Sequence, residues 1–350
     1  MADTKTETAT EAAGLTADSN ISDRTRQIYR DSLVWDMVFV YEPDWGNDVR
    51  LFPRWHAAGV HFTSVHPAGD RHNIGEAMRR IARFRNDVIR DPSGCFVLAE
   101  SVDDILRARA EGKLAVGMHL EGFRCIERDL NMIEVFYKLG VRFVHPIFNL
   151  VNSIGGGGAD RADVGLTRFG IQVVKEMNRV GMIVDGAHAS YSATMDMMDV
   201  SEDPVIFSHL GCYSVRKHFR NVRDDQIKRC AAQDGVVGIT SGGYYLGGLD
   251  PETYFRHVDH VAQLVGARYV GVGMDSLERP EILQAFIDAR PDEWPGRNEG
   301  MWEPMGFIQP EQLIDVTELM LRRGYSDPDV RNVLGENWLR VCRRVWKRAH

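Results

Sequence analysis

Residues 181–209 read GMIVDGAHASYSATMDMMDVSEDPVIFSH. Two short apolar runs, 182–184 and 204–207, have the length and composition of buried strands, and an amphipathic segment separates them. A histidine follows each run, His188 after the first and His209 after the second. In α/β enzymes the strand interior fills the core, while ligands and catalysts emerge at the C-terminal strand ends. Two histidines at successive strand ends therefore predict both a parallel α/β fold and a site at its rim.

Working outward, the same pattern recurs. Strands are expected at 33–38, 60–65, 114–118, 141–145, 235–240 and 269–272. Helices are expected at 23–29, 74–89, 130–139, 167–179, 224–232, 254–265, 312–322, 327–333 and 337–347. With the two opening runs this makes eight strands, mostly separated by helices, which favours a (β/α)8 TIM-type barrel over an open doubly wound sheet. No GxGxxG follows the first strand, so dinucleotide binding is not expected. The glycine-rich loop NLVNSIGGGGADRADVG (149–165) lacks the Gly-Lys-Ser/Thr ending of a phosphate-binding loop and reads as cover over a site. The basic C-terminal helix reads as an outer face rather than a membrane anchor.

Composition narrows the class. The chain has 350 residues, 44% apolar and 26% charged, with 33 glycines. Its formal charge of -8, with no basic stripe, argues against a nucleic-acid partner. Five cysteines form no CxxC pair, so neither a disulfide framework nor a thiolate zinc site is expected. No apolar run approaches 18 residues, and no basic-then-apolar leader opens the chain. The expectation is a cytoplasmic protein without membrane contact: a flexible polar tail over 1–22, then one barrel domain over 23–350.

On a barrel the strand ends converge on one rim. Glu121 follows the 114–118 strand, and Asp275 follows the 269–272 strand. Together with His188 and His209 they form a candidate site for a divalent ion. Asp275 would bind the ion, hold a water or accept its proton. A single buried histidine is more often a core residue than a ligand; convergence of four such residues is what favours a site. Asp185 reads either as a support for a ligand imidazole or as a structural cap. Arg220 has the fork geometry to grip a carboxylate, with a surface ion pair as the plainer reading. Asp224 and Asp225 read as a helix start. Trp35, Tyr41, Trp45, Tyr244 and Tyr245 are candidates for a pocket wall or for ordinary packing.

With these residues in place, the chain resembles the membrane (renal) dipeptidase-like metallopeptidases, the M19 branch of the amidohydrolase superfamily. The resemblance spans roughly 30–342. It rests on HLEGF (119–123), FYKLGVRFVHPIFNLVN (136–152) and GLTRFGIQVVKEMNRVGMIVDGAHAS (165–190). It continues through PVIFSHLGCYSVRKHFRNVRDD (204–225), DGVVGI (234–239), HVDHVAQLVGARYVGVGMD (257–275) and VLGENWLRV (333–341). It implies a barrel with a two-metal centre, usually zinc, that hydrolyses dipeptides or related amides. By the same resemblance Glu121 is the bridging carboxylate, and His188 and His209 complete one metal site. Asp275 handles the proton of the attacking water, and Arg220 holds the substrate carboxylate.

The chain departs from that pattern at the first strand. The family's Asp-Gly-His-Asn-Asp reads Asp36-Met37-Val38-Phe39-Val40 here, so both ligands of its His-x-Asp pair are valines. The substrate-binding histidine of a Thr-His-Asn context reads Ile147-Phe148-Asn149. One metal per subunit, most simply zinc, is therefore expected at Glu121, His188 and His209, with Phe148, Asn149 and Tyr244 at the substrate. Asp36, Glu42, Asp44, His66 and His72 are candidates to rebuild the lost half. The expected function is metal-dependent hydrolysis of an amide or peptide-like bond in a small carboxylate-bearing molecule, by a homo-oligomer. The alternatives are a single-metal lyase or decarboxylase, and a non-catalytic binding protein.

Overall fold

Local signals in the chain set the first helix. In the computed structural model, which describes residues 21–296 and 300–346, the helix Asp23–Asp31 is capped by Ser22, whose side chain accepts from the Thr25 backbone. The expected tail over 1–22 thus lies outside the described residues apart from Ile21 and Ser22.

Among the described residues nine parallel strands follow: β1 (Trp35–Phe39), β2 (Phe62–Gly69), β3 (Phe96–Leu98), β4 (Leu114–Glu121), β5 (Val141–His145), β6 (Ile183–Val184), β7 (Phe207–Leu210), β8 (Val237–Ile239) and β9 (Val270–Val272). Their lateral order is β6-β5-β4-β2-β1-β9-β8-β7, with β3 paired to β4 off this path. The two ends of the path meet at a parallel bridge between Asp185 and Ile206. Two hydrogen bonds make it, Ile206 N to Val184 O (3.1 Å) and Gly186 N to Ile206 O (2.8 Å). This is the parallel eight-strand arrangement expected of a TIM-type barrel, with one short strand added. β3 escapes sequence reading because three residues carry no periodicity.

The interior explains why these segments are strands. Trp35, Phe62, Ala115, Phe143, Ile183, Ile206 and Val236 come from seven different strand regions and pack in one buried cluster. The helix Asn337–Val345 closes that cluster from below with Trp338, Val341, Cys342 and Val345. Trp338 Nε1 donates to Val272 O at 3.0 Å, which satisfies the one polar atom this ring buries. With the N-terminal half of the barrel filled by side chains, only its C-terminal rim is left for chemistry. Close approach there needs small residues: a Cβ at Gly238 or Gly273 would collide with the Ser208 carbonyl beside His209.

Asp36 anchors β1 from within this core. It is fully buried and accepts from Met274 N (2.8 Å), Trp55 Nε1 (3.1 Å), Val38 N (3.3 Å) and Thr63 Oγ1 (3.4 Å). Burial pushes its carboxyl up to about 6, and the accepted hydrogen bonds only partly oppose that. A carboxyl raised above its unfolded value holds its proton more tightly when folded. Its contribution is therefore complete below about pH 4 and is lost as pH rises through 6. Asp36→Asn, which mimics the protonated group, should remove this slope. Urea titrations from pH 4 to 7 should show wild type losing up to about 3 kcal/mol relative to the variant; parallel profiles would refute the assignment.

Candidate metal centre and the cavity above it

The two histidines of the 181–209 stretch meet at the rim. His188 Nε2 and His209 Nε2 lie 3.1 Å apart, and a Glu121 carboxylate oxygen falls within 4.8 Å of both. All three side chains are withdrawn from solvent, His188 and His209 almost completely.

Their orientation is fixed from behind. Asn149 Oδ1 accepts from His188 Nδ1–H at 2.7 Å, which leaves the Nε2 lone pair pointing into the site. His209 Nδ1 lies 2.8 Å from Ser208 Oγ, and Ser208 Oγ lies 3.0 Å from His145 Nε2. His145 Nε2 in turn sits 2.7 Å from Asp185 Oδ2. A histidine whose far nitrogen donates to an oxygen presents the tautomer that ligates metals. Burial, followed for His188 by the Arg220 charge and for His209 by His145 and then Arg220, holds both rings far below the usual histidine range. Both are therefore neutral and able to donate a lone pair.

Backbone strain points to the same residues. Asn149 (φ 51°), His188 (φ 69°) and Asp275 (φ 53°) are non-glycine residues in the left-handed region. Such conformations cost energy and persist where the surroundings hold them, often at functional sites.

Glu121 and Asp275 are electrostatically opposed. Burial raises Glu121, but His66, His119, His188 and His145 outweigh it and hold the carboxyl well below its ordinary value. Asp275 is pushed well above the ordinary value, first by burial and then by the Glu121 charge. The two carboxyls are thus pushed in opposite directions, Glu121 toward the charged form and Asp275 toward holding a proton more tightly. Glu121 Oε1 is buried without a hydrogen-bond partner, and so is His119 Nε2, 3.9 Å away.

The residues present fit a divalent ion. Two neutral imidazole lone pairs 3.1 Å apart match the spacing of neighbouring ligands at metal–nitrogen distances near 2.0–2.1 Å, and an orphaned carboxylate oxygen lies beside them. In the structure Arg220 supplies the positive charge: one guanidinium amino group reaches His188 Nε2 (2.8 Å) and His209 Nε2 (3.2 Å). An ion in that seat would take the same lone pairs and release the arginine donor.

The remaining expected residues are distributed as follows. Asp275 Oδ2 stands 3.9 Å from His209 Nε2. Phe148 stacks on His188 with ring centres 4.2 Å apart. Asn149 spends its amide on His188 and on Glu293 O (3.3 Å). Tyr244 and Tyr245 wall the cavity. His66 lines the cavity with Nε2 4.0 Å from Glu121 Oε2. Glu42 lines it too but is held by Arg80 at 3.0 Å. His72 accepts from Gly69 N in a side recess, Asp44 is exposed, and Asp36 is consumed by the core bonds above. Val38 is core, whereas Val40 faces the cavity. Three contributors escape sequence reading: His119, His145 and Arg71. His119 stands two residues before Glu121, hence on the same strand face, and that alternation is the available signal.

A family model described as membrane dipeptidase (peptidase family M19) matches residues 52–290. An uncharacterised dipeptidase, C965.12, of Schizosaccharomyces pombe is 33% identical over 215 residues, covering 58% of this chain and 49% of that protein. Dipeptidase tcpJ of Claviceps purpurea is 32% identical over 255 residues, covering 71% and 55%. The chain therefore spans about half the length of the curated relatives it matches. An amidohydrolase of Pseudomonas aeruginosa superposes with a TM-score of 0.82 at 27% identity, over 92% of this chain and 99% of that one. This chain belongs to the membrane dipeptidase family; it carries a Glu/His/His cluster and has valines where a His-x-Asp pair was expected.

Removing the support behind His188 tests this arrangement. Asn149→Ala should weaken zinc binding roughly 10- to 100-fold, read by competition with a chromophoric chelator. Unchanged affinity would show that the tautomer is set elsewhere.

Proposed function

We propose that this member of the membrane dipeptidase family is a metal-dependent hydrolase that cleaves an amide or peptide-like bond in a small carboxylate-bearing substrate. The observation that carries the reading is the pair of neutral, buried imidazole nitrogens 3.1 Å apart beside Glu121. Glu121, His188 and His209 would hold one divalent ion, and their N/N/O set makes zinc the first choice. When bound, such an ion polarises an amide oxygen and makes a water acidic enough to attack near neutral pH.

The protein's own groups do the rest. Asp275, at the cavity floor, exchanges a proton with the attacking water and delivers it to the leaving nitrogen. Its burial and the neighbouring Glu121 charge keep its carboxyl proton-affine enough for that task. Arg220, once its amino group is released from the imidazoles, offers a fork for the substrate carboxylate, with Tyr245 beneath its guanidinium at 5.5 Å. The aromatic wall excludes water from the reacting bond.

A homo-oligomer is proposed on the general tendency of soluble enzymes. A cytoplasmic setting is proposed on the five free cysteines.

Elemental analysis of zinc-loaded protein should give one ion per chain in wild type and none in His188→Ala or His209→Ala. Hydrolysis of small amides in oxygen-18 water should place label in the released acid. Carbon dioxide release without label would support a lyase instead, and retained metal in both variants would sink the centre itself. Arg220→Met should separate the two roles of the guanidinium. Zinc affinity should be equal to wild type or higher, because a competing cation is gone, while KM for a carboxylate-bearing substrate should rise tenfold or more.

A further inference from the structure

With Arg220, which lies outside the lining of this cavity, taken as the carboxylate clamp, the acyl half of a substrate would face the cavity's apolar wall. Val40, Trp45, Phe148, Phe286, Trp294 and Phe307 form that wall. Two carboxylates at this wall are neutralised by arginines. Glu42 is paired with Arg80 at 3.0 Å, and Glu293, behind the wall, is paired with Arg71 at 3.4 Å. Glu121 belongs to the metal seat, and Asp275 lies 3.9 Å from His209 Nε2. The cation at the mouth is Arg71, whose guanidinium sits 4.2 Å over Phe286 and 5.5 Å over Phe148.

A free dipeptide carries an α-ammonium next to its scissile acyl group. Placing that charge here would cost several kcal/mol of desolvation. Glu42 and Glu293 are neutralised by arginines, and Glu121 and Asp275 are assigned to the metal seat and to proton transfer, so no described carboxylate of the cavity is left to pair with it. The same half without the ammonium would gain the burial of its apolar surface.

We infer that, if the site is an amide hydrolase as proposed above, its substrates are N-capped amino acids: a bulky apolar or aromatic acyl group joined by the scissile amide to a carboxylate-bearing amine, with no α-ammonium on the acyl side. The reaction adds water across that amide. The C–N bond breaks, the acyl carbon gains hydroxyl to become a carboxylic acid, and the amino acid leaves with the proton on nitrogen. No oxidant or second substrate is needed.

A matched pair isolates the claim. 3-Phenylpropanoyl-alanine is phenylalanyl-alanine without its α-amino group, so the two differ in that group alone. Zinc-loaded protein would be given both compounds, in both alanine enantiomers, with release of alanine measured by chromatography. Binding would be followed in parallel through the fluorescence of Trp45 and Trp294 in the wall. The capped compound should be preferred at least tenfold in kcat/KM and in affinity. Arg80→Met, which releases Glu42, should shrink that ratio at least threefold.

Equal or better use of phenylalanyl-alanine overturns the inference, as does a ratio that Arg80→Met leaves unchanged. If neither compound is cleaved, the hydrolase reading fails while the binding ratio still decides this one. Tighter binding of the capped compound upholds the apolar acyl site, and equal, reversed or absent binding overturns it.

Discussion

Two imidazole lone pairs held 3.1 Å apart inside a protein repel each other unless something positive lies between them. That constraint organises the whole rim of the barrel. It requires the far nitrogen of each ring to be satisfied from behind, which is the work of Asn149 for His188 and of Ser208 for His209. Asn149 and His188 are held in left-handed backbone conformations to do so. It also requires a rigid support, and that is the side-chain-filled barrel sealed from below by Trp338. Arg220 answers the demand directly: one guanidinium amino group lies within hydrogen-bond distance of both nitrogens, and the side chain is buried there.

The same low-dielectric setting separates two carboxyl groups that the sequence presents alike. Glu121 is surrounded by imidazoles and is held below its ordinary value, while burial and the Glu121 charge push Asp275 above its own. A pair whose environments push them in opposite directions can divide labour, one binding a cation and the other moving a proton. Asp36 experiences similar burial but spends its oxygens on backbone and side-chain donors. It therefore serves the fold, although it too is an acid on a barrel strand.

Much of this was legible in the chain because strand ends announce themselves. Short apolar runs that stop at His188, His209, Glu121 or Asp275 give both the fold and the half-site, since a barrel brings all strand ends to one rim whatever their separation in sequence. The helix over Ile74–Ile89 was readable from its apolar spacing, and the structure adds a capping box between Asn73 and Glu76. Less legible were features set by partners distant in sequence. β3 has three residues and is defined by its pairing to β4. His119 and His145 look like ordinary strand residues until Glu121 and Asp185 are placed beside them. The roles of Glu42 and His72 as arginine-held or backbone-bound groups depend on rotamers and loop paths that no periodicity encodes.

The loss of ligands on β1 takes on a different meaning once the cavity is seen whole. If Val38 and Val40 were simple erosion, the surrounding groups should be neutral to the change, with polar side chains left facing an apolar hole. Instead Val38 is packed into the barrel core, and Val40 joins Tyr244, Trp294 and Phe307 in one buried cluster. Phe148, where the family has a histidine, stacks on a ligand imidazole and touches the same wall through Trp294. Arg80 neutralises Glu42, one of the carboxylates lining the cavity. The departures at β1 and in the loop after β5, and the Arg80–Glu42 pair beside them, thus agree on one outcome: an apolar surface above a single cation seat. Agreement among separate segments on one physical environment marks a remade pocket more readily than a decaying one.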